Sequence, residues 1–192
     1  MAEVLLFHHA QGLTSGVREF AAGLERAGHL VHLPDLYEGR VFGDLEAGVG
    51  YAREVGFGTL TERARAAADA LPSALVYAGF SLGVMPAQML AQTRAGARGA
   101  LLMEACAPVS EFGGAWPEGV PAQIHGMEKD TFFAEEGDLD AARELVASTG
   151  AAELFLYPGD VHLFADRSLP SYDESAAALL TERVLAFLDT VG

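Results

Sequence analysis

Cysteine is nearly absent: Cys106 is the only one in 192 residues. A lone cysteine excludes an internal disulfide and fits a reducing compartment, so a cytoplasmic location is expected. Basic residues are scarce too, with 12 Lys and Arg against 27 Asp and Glu and a formal net charge of −15. A field of that sign repels phosphate backbones and anionic lipid, so neither nucleic acid nor a membrane surface is an expected partner. No apolar run approaches the roughly 20 residues of a membrane-spanning helix. The opening MAEVLLFHHAQG has Glu3 where a secretory leader is basic, so no targeting peptide is expected. There is no internal repeat, no low-complexity segment and no long block of one charge.

What is present is a globular composition, 51% hydrophobic, in a length that suits one domain over residues 1–192. Short apolar runs alternate with helical periodicity, the pattern of a parallel sheet covered by helices on both faces. Strands are predicted at Val4–His8, Leu30–Leu33, Ala74–Ala78, Ala100–Met103, Ala122–His125 and Ala152–Tyr157. Helices are predicted at Val17–Ala27, Thr59–Ala70, Val84–Thr93, Leu139–Ala147 and Tyr172–Thr190. Gly28, Pro72, Gly96 and Gly150 punctuate the first four helix ends. Ala178, Leu179, Val184, Leu185 and Leu188 give the last helix its apolar spacing.

Such sheets bind ligands at the C-terminal edge of the strands, so the residues just after each strand carry the chemistry. After the third strand the chain reads GFSLG. A Gly-x-Ser-x-Gly turn between strand and helix lifts the serine hydroxyl above the sheet and aims the N–H groups of the helix start at whatever binds there. Gly79 and Gly83 leave room for that turn, and Pro86 suits a first helical turn, where its missing N–H does no harm. An N-capping serine in an ordinary glycine-rich loop is the competing reading. The preceding strand and following helix favour Ser81 as a nucleophile.

A serine hydroxyl needs a base, and the base needs an orienting acid. LFLYPGDVHLF places His162 in the loop after the sixth strand, and IHGMEKDTFF places Asp130 after the fifth. Serine, aspartate and histidine then follow the order expected of this architecture. Glu128 competes with Asp130 for the role of acid, with Asp138 and Asp160 behind it. A histidine in a surface loop, or packed against Phe164, is the alternative for His162.

These residues resemble the dienelactone hydrolase family, a branch of the α/β-hydrolase superfamily, along nearly the whole chain. RAGHLVHLPDLYEGR, GFSLG, IHGMEKDTFF, YPGDVHLFAD and SAAALLTERVLAFL carry the likeness. It implies a shortened α/β-hydrolase of about six mostly parallel strands, with Ser81, Asp130 and His162 as a triad. Three positions depart from the family pattern. Ser81 stands where the namesake enzymes have cysteine, His9 aligns with their loop glutamate, and Asp166 replaces an arginine that holds the substrate carboxylate. A carboxylate facing a carboxylate is repulsive, so the resemblance implies a small ester, lactone or thioester rather than dienelactone itself.

The oxyanion hole of this architecture takes one N–H from Leu82 and another from the loop holding His9 or Ala10. His9, Gln11, Trp116 and Phe132 are expected to contact substrate, with Trp116 serving equally well as a surface anchor. His8 and His9 point to opposite faces as strand neighbours, so no shared metal is expected, and no cofactor is implied. Glu104 is read as a solvated acid at a strand end, with tuning of His9 as the alternative, and Cys106 as an inert small hydrophobe. A hydrolase-like protein that binds a small molecule without catalysis is the second reading. A nucleotide-binding fold is the third, and HHAQGLTSG lacks its Gly-x-Gly-x-x-Gly fingerprint.

Overall fold

A computed structural model describes residues 1–192. Six strands form one parallel sheet: β1 Glu3–Phe7, β2 Leu30–His32, β3 Val76–Phe80, β4 Gly99–Met103, β5 Ala122–Met127 and β6 Ala152–Tyr157. Their spatial order is β2-β1-β3-β4-β5-β6. Seven helices connect them: α1 Ser15–Arg26, α2 Leu45–Val55, α3 Phe57–Asp69, α4 Val84–Thr93, α5 Thr131–Glu135, α6 Asp138–Ser148 and α7 Glu174–Val191. This is a shortened α/β-hydrolase fold with helices on both faces. No helix is long and apolar enough to cross a membrane.

Strands buried on both faces read as continuous apolar runs because both of their side-chain rows need cover. Leu5, Phe7, Tyr77, Ala100 and Leu102 face the core beneath α2, α3, α4 and α6. Their neighbours Val4, Leu6, Val76, Leu101 and Met103 face the core beneath α1 and α7. On α7, Leu180, Val184 and Leu188 are fully buried, at roughly 1.5–3 kcal/mol of transfer free energy each.

Two helices were not anticipated. α2 buries only Gly48 and Ala52, too thin an apolar stripe to read from periodicity, and Asp44 starts it by accepting from the Ala47 N–H at 2.8 Å. α5 is five residues long and is capped by Asp130, whose Oδ1 accepts from the Phe132 N–H at 3.0 Å. β3 runs two residues past its expected end, directly into Ser81, and β5 runs on to Met127.

Candidate active site

The chain leaves β3 into a single 3-10 turn, Ser81–Gly83, before α4 begins. Ser81 has φ 46, the left-handed region that a residue with a Cβ seldom occupies. The flanking glycines make the turn sterically possible. A Cβ on Gly79 would lie 2.1 Å from Gly83 O, and one on Gly83 would lie 2.5 Å from Phe7 O. The turn is therefore pressed between its own strand and the end of β1.

His162 Nε2 lies 2.7 Å from Ser81 Oγ, and His162 Nδ1 lies 2.6 Å from Asp130 Oδ2. A carboxylate only accepts, so Nδ1 carries the ring proton and Nε2 is left to accept from the Ser81 hydroxyl. Asp130 is buried, and its second oxygen is held by the α5 cap. Burial opposes a charge on His162. The hydrogen bond to Asp130 and the fields of Glu104, Asp130 and Asp138 outweigh it and raise the imidazole pKa above its ordinary value. The Phe132 ring lies against the imidazole, with centroids 4.9 Å apart. Glu128 and Asp160 are exposed and take no part in this chain of hydrogen bonds. Asp138 instead accepts from the Cys106 N–H at 3.0 Å.

The loop after β1 departs from the expectations for its side chains. His9 is fully buried, with Nε2 2.7 Å from Asp166 Oδ2 and Nδ1 accepting from the Gln11 N–H at 3.2 Å. Asp166 also accepts from the Thr14 and Ser168 hydroxyls, which together with His9 hold its pKa down at about 2 against the cost of burial. The two departures from the family pattern, His9 and Asp166, are thus partners of one another. Both side chains are buried and bonded to each other. Gln11 is buried as well, donating its amide to Phe42 O at 3.1 Å.

His8 is equally committed: Nδ1 donates to His9 O at 2.8 Å and Nε2 accepts from the Leu36 N–H at 3.0 Å. Burial pushes its pKa down to about 4, so it is neutral, and Asp35 at 3.8 Å forms no ion pair with it. The backbone of this loop is held from outside by α2, where a Cβ on Gly48 would sit 2.1 Å from Ala10 O. The Gln11 N–H goes to His9 Nδ1 and the Gly12 N–H to His9 O. Those of His9 and Ala10 have no partner among the loop hydrogen bonds.

Trp116 donates to Val120 O at 2.7 Å and lines a groove shared with Pro108, Ala141 and Glu144, away from Ser81. An apolar pocket of about 350 Å³ instead begins at Leu82, the residue after Ser81. Leu36, Phe57, Leu60, Met85 and Phe112 complete most of its wall. Pattern reading missed it because it joins residues of α3, α4 and the loops after β2 and β4. Glu104 is 1% exposed, which corrects its reading as a solvated acid.

The dienelactone hydrolase family model matches residues 1–192, the whole chain. The chain belongs to the dienelactone hydrolase family. No curated protein sequence matches it. Among solved structures, a dienelactone hydrolase-like promiscuous phosphotriesterase from metagenomic libraries superposes with a TM-score of 0.76 at 19% identity, covering 100% of this chain and 87% of that one. Thermogutta terrifontis esterase 2 gives 0.71 at 16% identity, covering 100% and 84%. The latter is also known phosphonylated by sarin, a form with a TM-score of 0.68. At these identities the likeness is one of fold. Family membership makes the chain a hydrolase acting on ester-type substrates.

Proposed function

We propose that this family member is a serine hydrolase of small, uncharged esters, thioesters or lactones, with Ser81 as nucleophile, His162 as base and Asp130 as orienting acid. The observation that carries the reading is the unbroken hydrogen-bonded chain Ser81–His162–Asp130, at 2.7 and 2.6 Å. His162 Nε2 takes the hydroxyl proton while Ser81 Oγ attacks the carbonyl carbon. The Leu82 N–H and the unpartnered N–H of His9 or Ala10 receive the oxyanion. The imidazolium gives its proton to the leaving alcohol or thiol. A water, deprotonated by the same nitrogen, then releases the acyl group and regenerates Ser81. Asp130 holds the tautomer and supports the transient positive charge. Every step uses groups of this chain.

The substrate class rests on two supports. Asp166 is locked to His9, so the sequence carries no cation at the position where the family's arginine would hold a carboxylate. The pocket that starts at Leu82 is walled mainly by apolar side chains, and Phe132 covers the imidazole. An apolar acyl group suits both. Turnover of p-nitrophenyl acetate by the wild type and by Ser81→Ala tests the reading. A loss of at least about 1000-fold is expected, whereas equal rates remove Ser81 from the chemistry.

A further inference from the structure

One titratable group beside the site has no place in the mechanism above. Glu104 follows β4 directly, and its N–H donates to His125 O on β5 at 2.6 Å, which pins the residue to the edge of the sheet. Its φ is 67, and only three other non-glycine residues have positive φ: Glu38, Ser81 and Leu163. Leu163 directly follows His162. Three of the four unusual backbones thus belong to Ser81, Glu104 and the His162 loop, as expected where surrounding structure holds a functional group in place. Both carboxylate oxygens of Glu104 are buried and neither has a hydrogen-bond partner. The Phe164 and Ala165 N–H groups, just beyond His162, face the carboxylate and favour its charged form without bonding to it. A buried carboxylate left unpartnered is costly, so a solvent-facing side chain at this strand end is the cheaper arrangement.

Resting on the assignment of His162 as base, we propose that Glu104 is a positioning residue of the same site: a second carboxylate that acts with Asp130 on His162 and supports positive charge on its ring. Asp130 does so through a direct hydrogen bond, Glu104 through its field. Burial raises the Glu104 pKa to about 7; the charge of His162 opposes that shift and the charge of Asp130 adds to it. The groups facing His162 are Ser81 after β3, Glu104 after β4, Asp130 after β5 and Asp138 at the start of α6. Those acting on Glu104 are His162 and Asp130, with the two peptide N–H groups. Each charge therefore favours the other, and the titrations of Glu104 and His162 are coupled. When His162 accepts the Ser81 proton, ionised Glu104 stabilises the imidazolium from a water-poor position, where a charge acts with little screening.

The test reads the imidazole itself, so it does not depend on turnover. In a Ser81→Ala background, the His162 pKa is measured by NMR titration with and without Glu104→Gln. Removing the negative charge is expected to lower that pKa by roughly one unit, and Glu104→Asp, which keeps the charge, to restore most of the shift. An unmoved His162 pKa overturns the proposal, even if the wild type hydrolyses esters. Conversely, the coupling stands if the shift appears in a chain whose wild type fails to turn over p-nitrophenyl esters, and only the hydrolase reading falls. Should Glu104→Gln not fold, the carbon-13 titration of the Glu104 carboxyl in the unsubstituted chain decides. A step in the Glu104 carboxyl shift at the pH where His162 titrates supports the pairing, and a single-step titration with no inflection there overturns it. With Ser81 restored, the acid limb of the kcat/KM profile of Glu104→Gln moves to lower pH by the same amount, a displacement that a purely structural role does not produce.

Discussion

His9 and Asp166, 157 positions apart in the chain, form a buried pair with Nε2 and Oδ2 separated by 2.7 Å. The pair ties the loop after β1 to the loop that follows His162. It also reaches α1, because the Thr14 hydroxyl that donates to Asp166 accepts from the Val17 N–H at 3.2 Å as helix cap. Asp166→Ala leaves His9, Thr14 and Ser168 without their acceptor, and a loss of about 3–5 kcal/mol in urea denaturation is expected. The folded Asp166 pKa lies near 2, below the ordinary aspartate value of 3.8. Its stabilisation is therefore full above about pH 4 and is lost as the pH falls through 2. About 2 kcal/mol is at stake, and Asp166→Asn should flatten that part of the stability profile.

At less acid pH, two buried neutral histidines steepen the slope, and buried Glu104, its pKa raised to about 7, opposes them. The pKa of His8 is pushed down to about 4 and that of His125 to about 3, in both cases chiefly by burial. The unfolded chain binds those protons near 6.5. Between 6.5 and 4 it therefore binds more protons than the folded chain, and acidification favours unfolding. Each histidine contributes about 1.4 kcal/mol per pH unit over that range. His125→Phe removes one of these contributions, so the slope of unfolding free energy between pH 6 and 4.5 should fall by about 1.4 kcal/mol per pH unit.

Much of this arrangement was legible because strand ends are local. Apolar runs locate β1 to β6 to within two residues, and Ser81 and His162 stand in the first loop after their strands. Side-chain surroundings were not legible. His9 looked like a substrate contact and Glu104 like a solvated acid, since what buries them comes from distant segments: Asp166 for one, the Phe164–Ala165 backbone for the other. α2 escaped notice for a related reason. Its buried face is Gly48 and Ala52, and close backbone packing on Ala10 leaves no hydrophobic period to read.

The nucleophile turn should tolerate no added methyl. A Cβ at position 79 meets the Gly83 carbonyl oxygen at 2.1 Å, backbone that cannot swing aside as a side chain can. Gly79→Ala is expected to displace Ser81 Oγ from His162 and to lower kcat/KM for p-nitrophenyl acetate about 100-fold or more. Circular dichroism of the variant should retain the helical signal.

The pocket that begins at Leu82 makes a prediction about acyl length. Each methylene buried there should raise kcat/KM about fourfold, from acetate through butyrate to hexanoate, until the pocket of about 350 Å³ is filled. Met85→Glu places a charge in that wall. It should flatten the series, with hexanoate losing most and acetate least, as initial rates at matched substrate concentrations will show.

Covalent labelling with a fluorophosphonate, read by intact mass and peptide mapping, tests the central claim most directly. An Oγ activated by His162 should displace fluoride and leave one adduct per chain on Ser81, absent from Ser81→Ala and slower to form in His162→Ala. An unlabelled wild type, or equal labelling of wild type and Ser81→Ala, would contradict it.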